Sequence, residues 1–339
     1  MPLDVERHCS RVPPQRGAGR RGAGSLVIGL VNNMPDTALE ATEAQFARLL
    51  SNAADSVRVR LRLSFLLEVP RGEVGRAHLD GGTYWPIESL LREPLDALIV
   101  TGMEPVAPLL SDEPYWQRMG ELLSWAETNT TSSIWSCLAA HAAVELLDGI
   151  RRRRLDSKRC GVFAHTALPN QPLLEGLEAP IYTPHSRWNE LPVEQLRSAG
   201  YSVVTSSPET GADMFIKQSR SLLVFFQGHP EYEETTLLRE YRRDVGRFLR
   251  GQQDHYPTLP HEYFPPAALR LLSEYQKRVA GERSPDLLAE FPTAAVADTL
   301  RNTWGAGACL IYRNWLAKLA NANQTTQTQS PAKVSSSRL

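Results

Sequence analysis

Short apolar runs alternate with amphipathic stretches along the first half of the chain. The run "SLVIGLVNN" (25–33) is too short for a helix and is closed by two asparagines, which predicts a buried strand. In "DTALEATEAQFARLLSNA", Leu39, Phe46, Leu49 and Leu50 recur at helical spacing. Strict alternation of Val57, Val59, Leu61, Leu63 and Phe65 predicts a strand with one wet face. "LDALIVTG" reads as another buried strand ending in a glycine turn, "PYWQRMGELLSWAET" as a helix, and "SSIWSC" as a strand with the helix "LAAHAAVELLDG" behind it. Further on, "YSVVTSS" and "DMFIKQSRSLLVFFQGHPEY" predict strands, the second a hairpin turning at "QSRS". "ALRLLSEYQKRVAGERS" and "LRNTWGAGACLIYRNWLAKL" have helical periodicity.

Strands alternating with helices at this spacing predict an α/β fold, a parallel sheet with helices on both faces. Ligands of such sheets bind at the carboxyl ends of the strands, the edge on which Cys137 and the Thr101-Gly102 turn would lie. No internal repeat and no Pro- or Ser-rich linker interrupts the middle. The simplest parse is one domain over 25–320, its last part (about 265–320) a helical extension. The flanking segments 1–24 and 321–339 are polar or Arg/Gly-rich and read as disordered tails.

Composition narrows the partners. A formal net charge of −1 gives no reason to expect nucleic acid or an acidic membrane surface. No apolar run has the length of a signal peptide core or a membrane span. The four cysteines (Cys9, Cys137, Cys160, Cys309) are scattered and form no CxxC pair, which disfavours a disulfide framework or structural zinc and fits a reducing cytoplasm. No metal-ligand cluster or redox cofactor is indicated.

Cys137 sits between a buried strand and a helix start. There the helix N-terminus stabilises a thiolate, although a lone cysteine is also commonly an inert core residue. His141, one turn down the same helix, would point toward the helix body. "VFFQGHPEY" offers a better base: an apolar strand ends in glycine and presents His229, with Glu231 near enough to fix its tautomer. A structural His-Glu pair is the competing reading.

At these residues the sequence resembles a family. "SCLAAHAAV", "SKRCGVFAH", "TPHSRWNE", "GHPEY" and "LLREYRRDV", in this order, are similar to the homoserine O-acyltransferases of methionine biosynthesis, relatives of class I glutamine amidotransferases. The likeness runs from about Leu26 to about Lys318 and includes "NNMP", "DALIVTG", "PYW", "EYFP" and "RNWL". It implies a flavodoxin-like, amidotransferase-like fold. It also implies that Cys137 carries the acyl group, that His229 accepts its proton with Glu231 as partner, and that Lys158, Ser186 and Arg243 contact substrate. Without the resemblance, Arg243 would read as a solvated helix charge beside Arg242 and Asp244.

Two departures stand out. The family usually carries a lysine pair after its Met-Pro, where Asp36 and Thr37 follow Pro35 here, and the position of His141 is commonly Gln. Acyl choice in the family goes with one position after the "TGxP"-like turn, glutamate with acetyl and glycine with succinyl. Counting back from "PYW" puts Val106 there, and a two-residue shift would put Glu104 there instead.

The resemblance therefore implies an acyltransferase that moves an acyl group, succinyl favoured over acetyl, from succinyl-CoA or acetyl-CoA to L-homoserine, with serine as an alternative acceptor. Acyl-CoA would be a substrate and no cofactor is needed; a homodimer is compatible with the sequence. The rival reading is an amidotransferase-like glutaminase, and a further one is a binding protein without catalysis.

Overall fold

The computed structural model describes residues 3–8, 25–281 and 283–328. It divides into two compact units. One comprises the chain up to Trp135, Gln218–Val224 and the chain from Ile311; the other comprises Ser136–Lys217 and Phe225–Leu310. Where the sequence reading placed one domain over 25–320, the division falls one residue before Cys137.

The first unit opens with β1 (Leu3–Val5) and β2 (Ser25–Val31), then α1 (Asp36–Ala53), β3 (Arg58–Ser64), α2 (Glu73–Leu79), β4 (Tyr84–Trp85), α3 (Ile87–Arg92), β5 (Ala97–Val100), α4 (Trp116–Asn129) and β6 (Ser132–Ser136). The strands run in the order β1-β3-β2-β5-β6 and pair in parallel. Parallel neighbours require crossovers, which the helices supply. Strands β5 and β6 are buried along their whole length, as strands covered on both faces must be. Helix α1 buries Leu39, Phe46, Leu49 and Leu50, the stripe that its periodicity predicts.

Strand order reverses at β2, which has β3 on one side and β5 on the other. Polar side chains lace the carboxyl ends there. The Asn33 amide donates to Thr101 Oγ1 at 2.8 Å, and Asn33 Oδ1 accepts from the Leu66 amide at 3.0 Å. The two asparagines that end the β2 run are therefore buried connectors between strand ends.

Three expectations need correction. Leu3–Val5, inside the stretch read as a tail, pairs with Val59–Leu61, so β3 is not the sheet edge. The face of β3 expected to be wet is largely covered: Glu6 binds Arg60 and Arg62, and the Arg62 guanidinium lies 4.8 Å from the Trp85 ring centroid. The last helix continues past 320 because its polar residues still find partners. Asn323 donates to Asp96 Oδ1 at 2.8 Å, while Asp96 Oδ2 holds the Val27 amide. Cys9 and the remainder of both expected tails lie outside the described residues.

From Ser136 the chain continues through α5 (Leu138–Asp148), β7 (Arg153–Ala167), β8 (Ile181–Glu190), α6 (Val193–Ser198), β9 (Ser202–Val203), β10 (Thr205–Ser207), β11 (Gly211–Ala212), β12 (Met214–Gln218) and β13 (Leu222–Phe226). Helices α7 (Thr236–Leu249), α8 (Pro266–Ala280), α9 (Thr293–Ala297) and α10 (Gly305–Thr328) complete it. The second unit has a separate sheet in the order β11-β10-β7-β8, in which β7 and β8 form a long antiparallel pair that periodicity did not reveal. Its helical part buries Tyr241, Val245, Phe264, Leu272, Tyr275 and Phe291 in one cluster. That cluster fixes the inner face of α7 and leaves Glu240, Arg243 and Asp244 on the other side of the helix.

Candidate active site

Cys137 is the residue between β6 and α5, with φ 53° and ψ −114°. A side chain rarely tolerates positive φ, so this conformation stores strain and must be held by its surroundings. Its amide donates to Phe226 O at 2.7 Å, and its carbonyl accepts the Ala140 and His141 amides at 3.0 and 3.3 Å. Small buried residues behind it (Ala139, Ala140, Ala142, Ala143) let the helix approach closely. The thiol is free and half-buried at the positive end of the α5 dipole.

Strand β13 ends at Phe226, and the next three residues carry the chain to the imidazole. His229 Nδ1 lies 2.8 Å from Glu231 Oε1. With Nδ1–H directed at the carboxylate, Nε2 is left for the thiol. Burial opposes a charge on this ring, but Glu231 and then Cys137 outweigh it, so the His229 pKa is raised well above the ordinary value. Tyr232 stacks on the imidazole with centroids 4.2 Å apart.

Lys158, Ser186 and Arg243 converge on two carboxylates of α7. Lys158 Nζ is 2.8 Å from Asp244 Oδ2 and 3.6 Å from Glu240 Oε2. The Ser186 hydroxyl donates to Glu240, and Arg243 lies 3.0 Å from Asp244 and 3.7 Å from Glu240. Burial disfavours the Lys158 ammonium, yet Cys160, Glu240 and Asp244 raise its pKa on balance; Lys158 and Arg243 hold Asp244 below the usual carboxylate range against its own burial. Arg243 is half exposed and pairs with acids of its own helix. Two cations face two anions and a hydroxyl, a set matched to the zwitterionic end of an amino acid. Tyr232 joins this cluster to the imidazole, donating from its hydroxyl to Glu240 Oε1 at 2.7 Å. Beside Lys158 and Asp244 a cavity of about 760 Å³ opens, lined also by Phe163, Trp188 and Tyr241.

Neither other histidine near these residues is placed to act as base. His141 hydrogen-bonds Gln227 Oε1 at 3.0 Å in a buried site, where burial pushes its pKa down to about 3. His185 is fully buried and also held well below its ordinary value by burial.

No metal cluster was expected from the residue spacing, but His165, His185 and Asp213 place potential ligand atoms within 4.8 Å of one another. The bonding argues against an ion. Arg187 Nε, which can only donate, points at His185 Nδ1 at 3.2 Å, so the proton of the neutral ring sits on Nε2 and faces Asp213 Oδ1 at 3.4 Å.

In the first unit, Thr101 is buried with its hydroxyl donating to Gly102 O, and Met103 is buried beside it. Glu104 is exposed and Val106 is 72% exposed. The Val106 and Ala107 amides both donate to buried Glu113 Oε1 at 2.7 Å, which pins this loop. Asp36 accepts the Gly72 amide at 2.8 Å and lies 3.6 Å from Arg71, whose guanidinium also donates to Met34 O. Arg71 thus brings a buried cation to the Met34-Pro35 turn from a remote position in sequence.

The family model described as homoserine O-succinyltransferase matches residues 8–326. The chain belongs to the homoserine O-succinyltransferase family. The homoserine O-succinyltransferase of Rhodopseudomonas palustris is 45% identical over 320 residues, covering 94% of each chain. That of Bradyrhizobium japonicum is 46% identical over 299 residues, covering 87% of this chain and 90% of its own. Among solved structures, a glutamine amidotransferase from Methylobacillus flagellatus aligns over 87% of this chain and 95% of its own, at 14% identity and a TM-score of 0.49.

Cys137, His229, Glu231, Lys158, Ser186 and Arg243 were singled out from the sequence, whereas Glu240, Asp244 and Tyr232, which pair with or stack on them, were not. Glu240 and Asp244 are one turn apart on α7, and that spacing around Arg243 was the available signal.

Proposed function

We propose that the protein transfers a succinyl group from succinyl-CoA to the hydroxyl of L-homoserine, with Cys137 as the covalent carrier. The observation that carries this reading is the strained Cys137 at the start of α5, electrostatically coupled to an imidazole that Glu231 orients. His229 takes the thiol proton and the thiolate attacks the thioester carbonyl. CoA leaves as its thiol, with the proton returned from His229, and a succinyl-cysteine thioester remains. Homoserine then loses its hydroxyl proton to His229, and its oxygen takes the acyl group and regenerates the Cys137 thiolate–imidazolium pair.

The Cys137 amide is committed to Phe226 O and does not hold the oxyanion. With the Ala140 and His141 amides bonded to the Cys137 carbonyl, the Leu138 and Ala139 amides that open α5 would be the donors. Lys158 and Arg243 would bind the acceptor's α-carboxylate, and Glu240 or Asp244 its ammonium. The described helices include none long and apolar enough to cross a membrane.

The test is mass spectrometry of the intact protein after mixing with succinyl-CoA without amino acid. A succinyl adduct on Cys137 that homoserine discharges is expected. Glutamine hydrolysis without any adduct would replace this reading with the glutaminase one.

A further inference from the structure

Three consecutive amides carry the chain from β13 to His229, and each has a specific acceptor. The Gln227 amide donates to Asp213 O at 2.9 Å, the Gly228 amide to Asp213 Oδ1 at 3.1 Å, and the His229 amide to Pro184 O at 2.8 Å. Asp213 thus accepts two of the three. It is only 2% exposed, and hydroxyls saturate its other oxygen: Thr183 and Thr205 donate to Oδ2 at 3.0 and 3.1 Å. Thr205 Oγ1 in turn accepts the Met214 amide at 2.9 Å, which locks the donor's direction.

A buried carboxylate survives only when donors surround it. Here they come from β8, β10 and the residues after β13, so the carboxylate ties three segments together. His185 Nε2–H faces it from β8, backed by the Arg187 guanidinium on Nδ1, and His165 lies beside His185 with ring centroids 5.2 Å apart. No other titratable group is seen to contact Asp213 among the described residues. The fit leaves no slack: a Cβ on Gly228 would lie 2.6 Å from Asp213 Oδ1, 2.6 Å from Thr183 Cγ2 and 3.0 Å from His185 Nε2.

From this geometry we infer that Asp213 is a positioning residue for the transfer reaction: its carboxylate holds the Gly228 amide, and through it sets the His229 imidazole against the Cys137 thiol. The inference rests on the proposed roles of Cys137 and His229. Asp213 does not touch substrate, and its effect is exerted through one backbone bond.

The experiment compares Asp213→Ala and Asp213→Asn in the full chain. Two readouts are taken: the single-turnover rate of acyl-enzyme formation from succinyl-CoA, and the pH profile of Cys137 alkylation by iodoacetamide. Asp213→Ala removes the acceptor, and an imidazole displaced by about 1 Å should lose about 10- to 100-fold in acylation rate. Its alkylation midpoint should move to higher pH as the thiolate loses its imidazolium neighbour, whereas a merely structural role would lower thermal stability and leave that midpoint in place. Asp213→Asn keeps a carbonyl oxygen for Gly228, and the Thr183 hydroxyl can turn to accept from its amide while Thr205 cannot, so it should restore part of the rate.

A folded Asp213→Ala with the parent's acylation rate and alkylation profile overturns the proposal. Should that variant fail to fold, Thr183→Val with Thr205→Val strips the other two donors and leaves the amide contact unsupported. A smaller loss of rate with the same direction of pH shift is then expected, and parental values would again overturn it. Alkylation needs no acyl donor, so a parent protein that reacts with iodoacetamide but never with succinyl-CoA would discredit the proposed function and not this arrangement.

Discussion

The Tyr232 ring lies nearly parallel to that of His229, inclined by 16°, and its hydroxyl donates to Glu240 at 2.7 Å. One side chain therefore touches both the proposed base and the cluster proposed to bind the acceptor. Tyr232→Phe keeps the stacking area and removes only the bond to Glu240. Acyl-enzyme formation should stay within about threefold of the parent, while the Michaelis constant for homoserine rises about 10- to 15-fold, the worth of one bond to a charged group at the low end of its range. Equal losses in both half-reactions would show that the ring, not the hydroxyl, carries the effect.

Glu231 makes the imidazolium of His229 tolerable in a buried site, and this has a pH signature. The folded pKa of His229 is raised above its unfolded value of about 6.5, so its contribution to stability is complete below that value and lost as pH rises through the folded pKa. Glu231→Gln removes the main cause of the shift. The stability difference between parent and variant, read from urea midpoints, should be largest near pH 6 and should narrow by pH 10. In the same variant the alkaline limb of turnover should move to lower pH. A difference that widens toward pH 10 would contradict the assignment.

Arg243 is the more exposed of the two cations near Glu240 and Asp244. A ligand carboxylate can reach it with little rearrangement, and its planar fork suits that group. Arg243→Ala should raise the Michaelis constant for homoserine by about 10- to 100-fold, from the loss of a charge-assisted contact of about 1.5–3 kcal/mol. Acylation by succinyl-CoA should be nearly unaffected, and steady-state kinetics with each substrate varied separately distinguishes the two.

Much of this was legible in the chain because it follows from local pattern. Strand β2, helix α1, strand β6 and the cysteine behind it declare themselves through run length and periodicity, and His229 through its place at a strand end. What stayed hidden depends on pairing between distant segments. Leu3–Val5 is three residues long and carries no period, and only its register with Val59–Leu61 makes it a strand. The β7–β8 pair mixes charged and apolar residues because part of one face meets a polar cluster and not a core. Asp213 had no signal at all, since its neighbours Thr183, Thr205 and Gly228 are brought to it only by the fold.

His141 should mark the acid side of the stability curve. It is buried and neutral with a pKa of about 3, whereas the unfolded chain binds a proton near pH 6.5. Between these values the unfolded state holds more protons, so stability falls as pH falls, by up to about 1.4 kcal/mol per pH unit from this residue. His141→Gln has no proton to bind. It should leave activity at neutral pH within a few fold and make the protein about 1–2 kcal/mol more stable than the parent at pH 5 relative to pH 7.5. Denaturant titrations at the two pH values check this, and an unchanged difference would place the acid-sensitive group elsewhere.

The choice of acyl group can be addressed through Val106. Its amide and that of Ala107 are anchored on Glu113, so the loop is pinned by backbone contacts and the side chain is free to vary. The family resemblance implies that a glutamate at this position would accompany acetyl transfer. Valine adds no negative charge to oppose the free carboxylate of a succinyl group, whereas two carboxylates brought together out of water repel strongly. Glu104, two residues earlier, is exposed and has its charge in solvent. Val106→Glu should therefore lower kcat/KM for succinyl-CoA by about 10- to 100-fold, equivalent to about 1.4–2.7 kcal/mol of repulsion, while acetyl-CoA is used as well as or better than before. Glu104→Gln should change the ratio little. If instead Glu104→Gln raises succinyl-CoA use and Val106→Glu has no effect, the register of the loop is shifted by two residues and Glu104 is the group that the acyl chain meets.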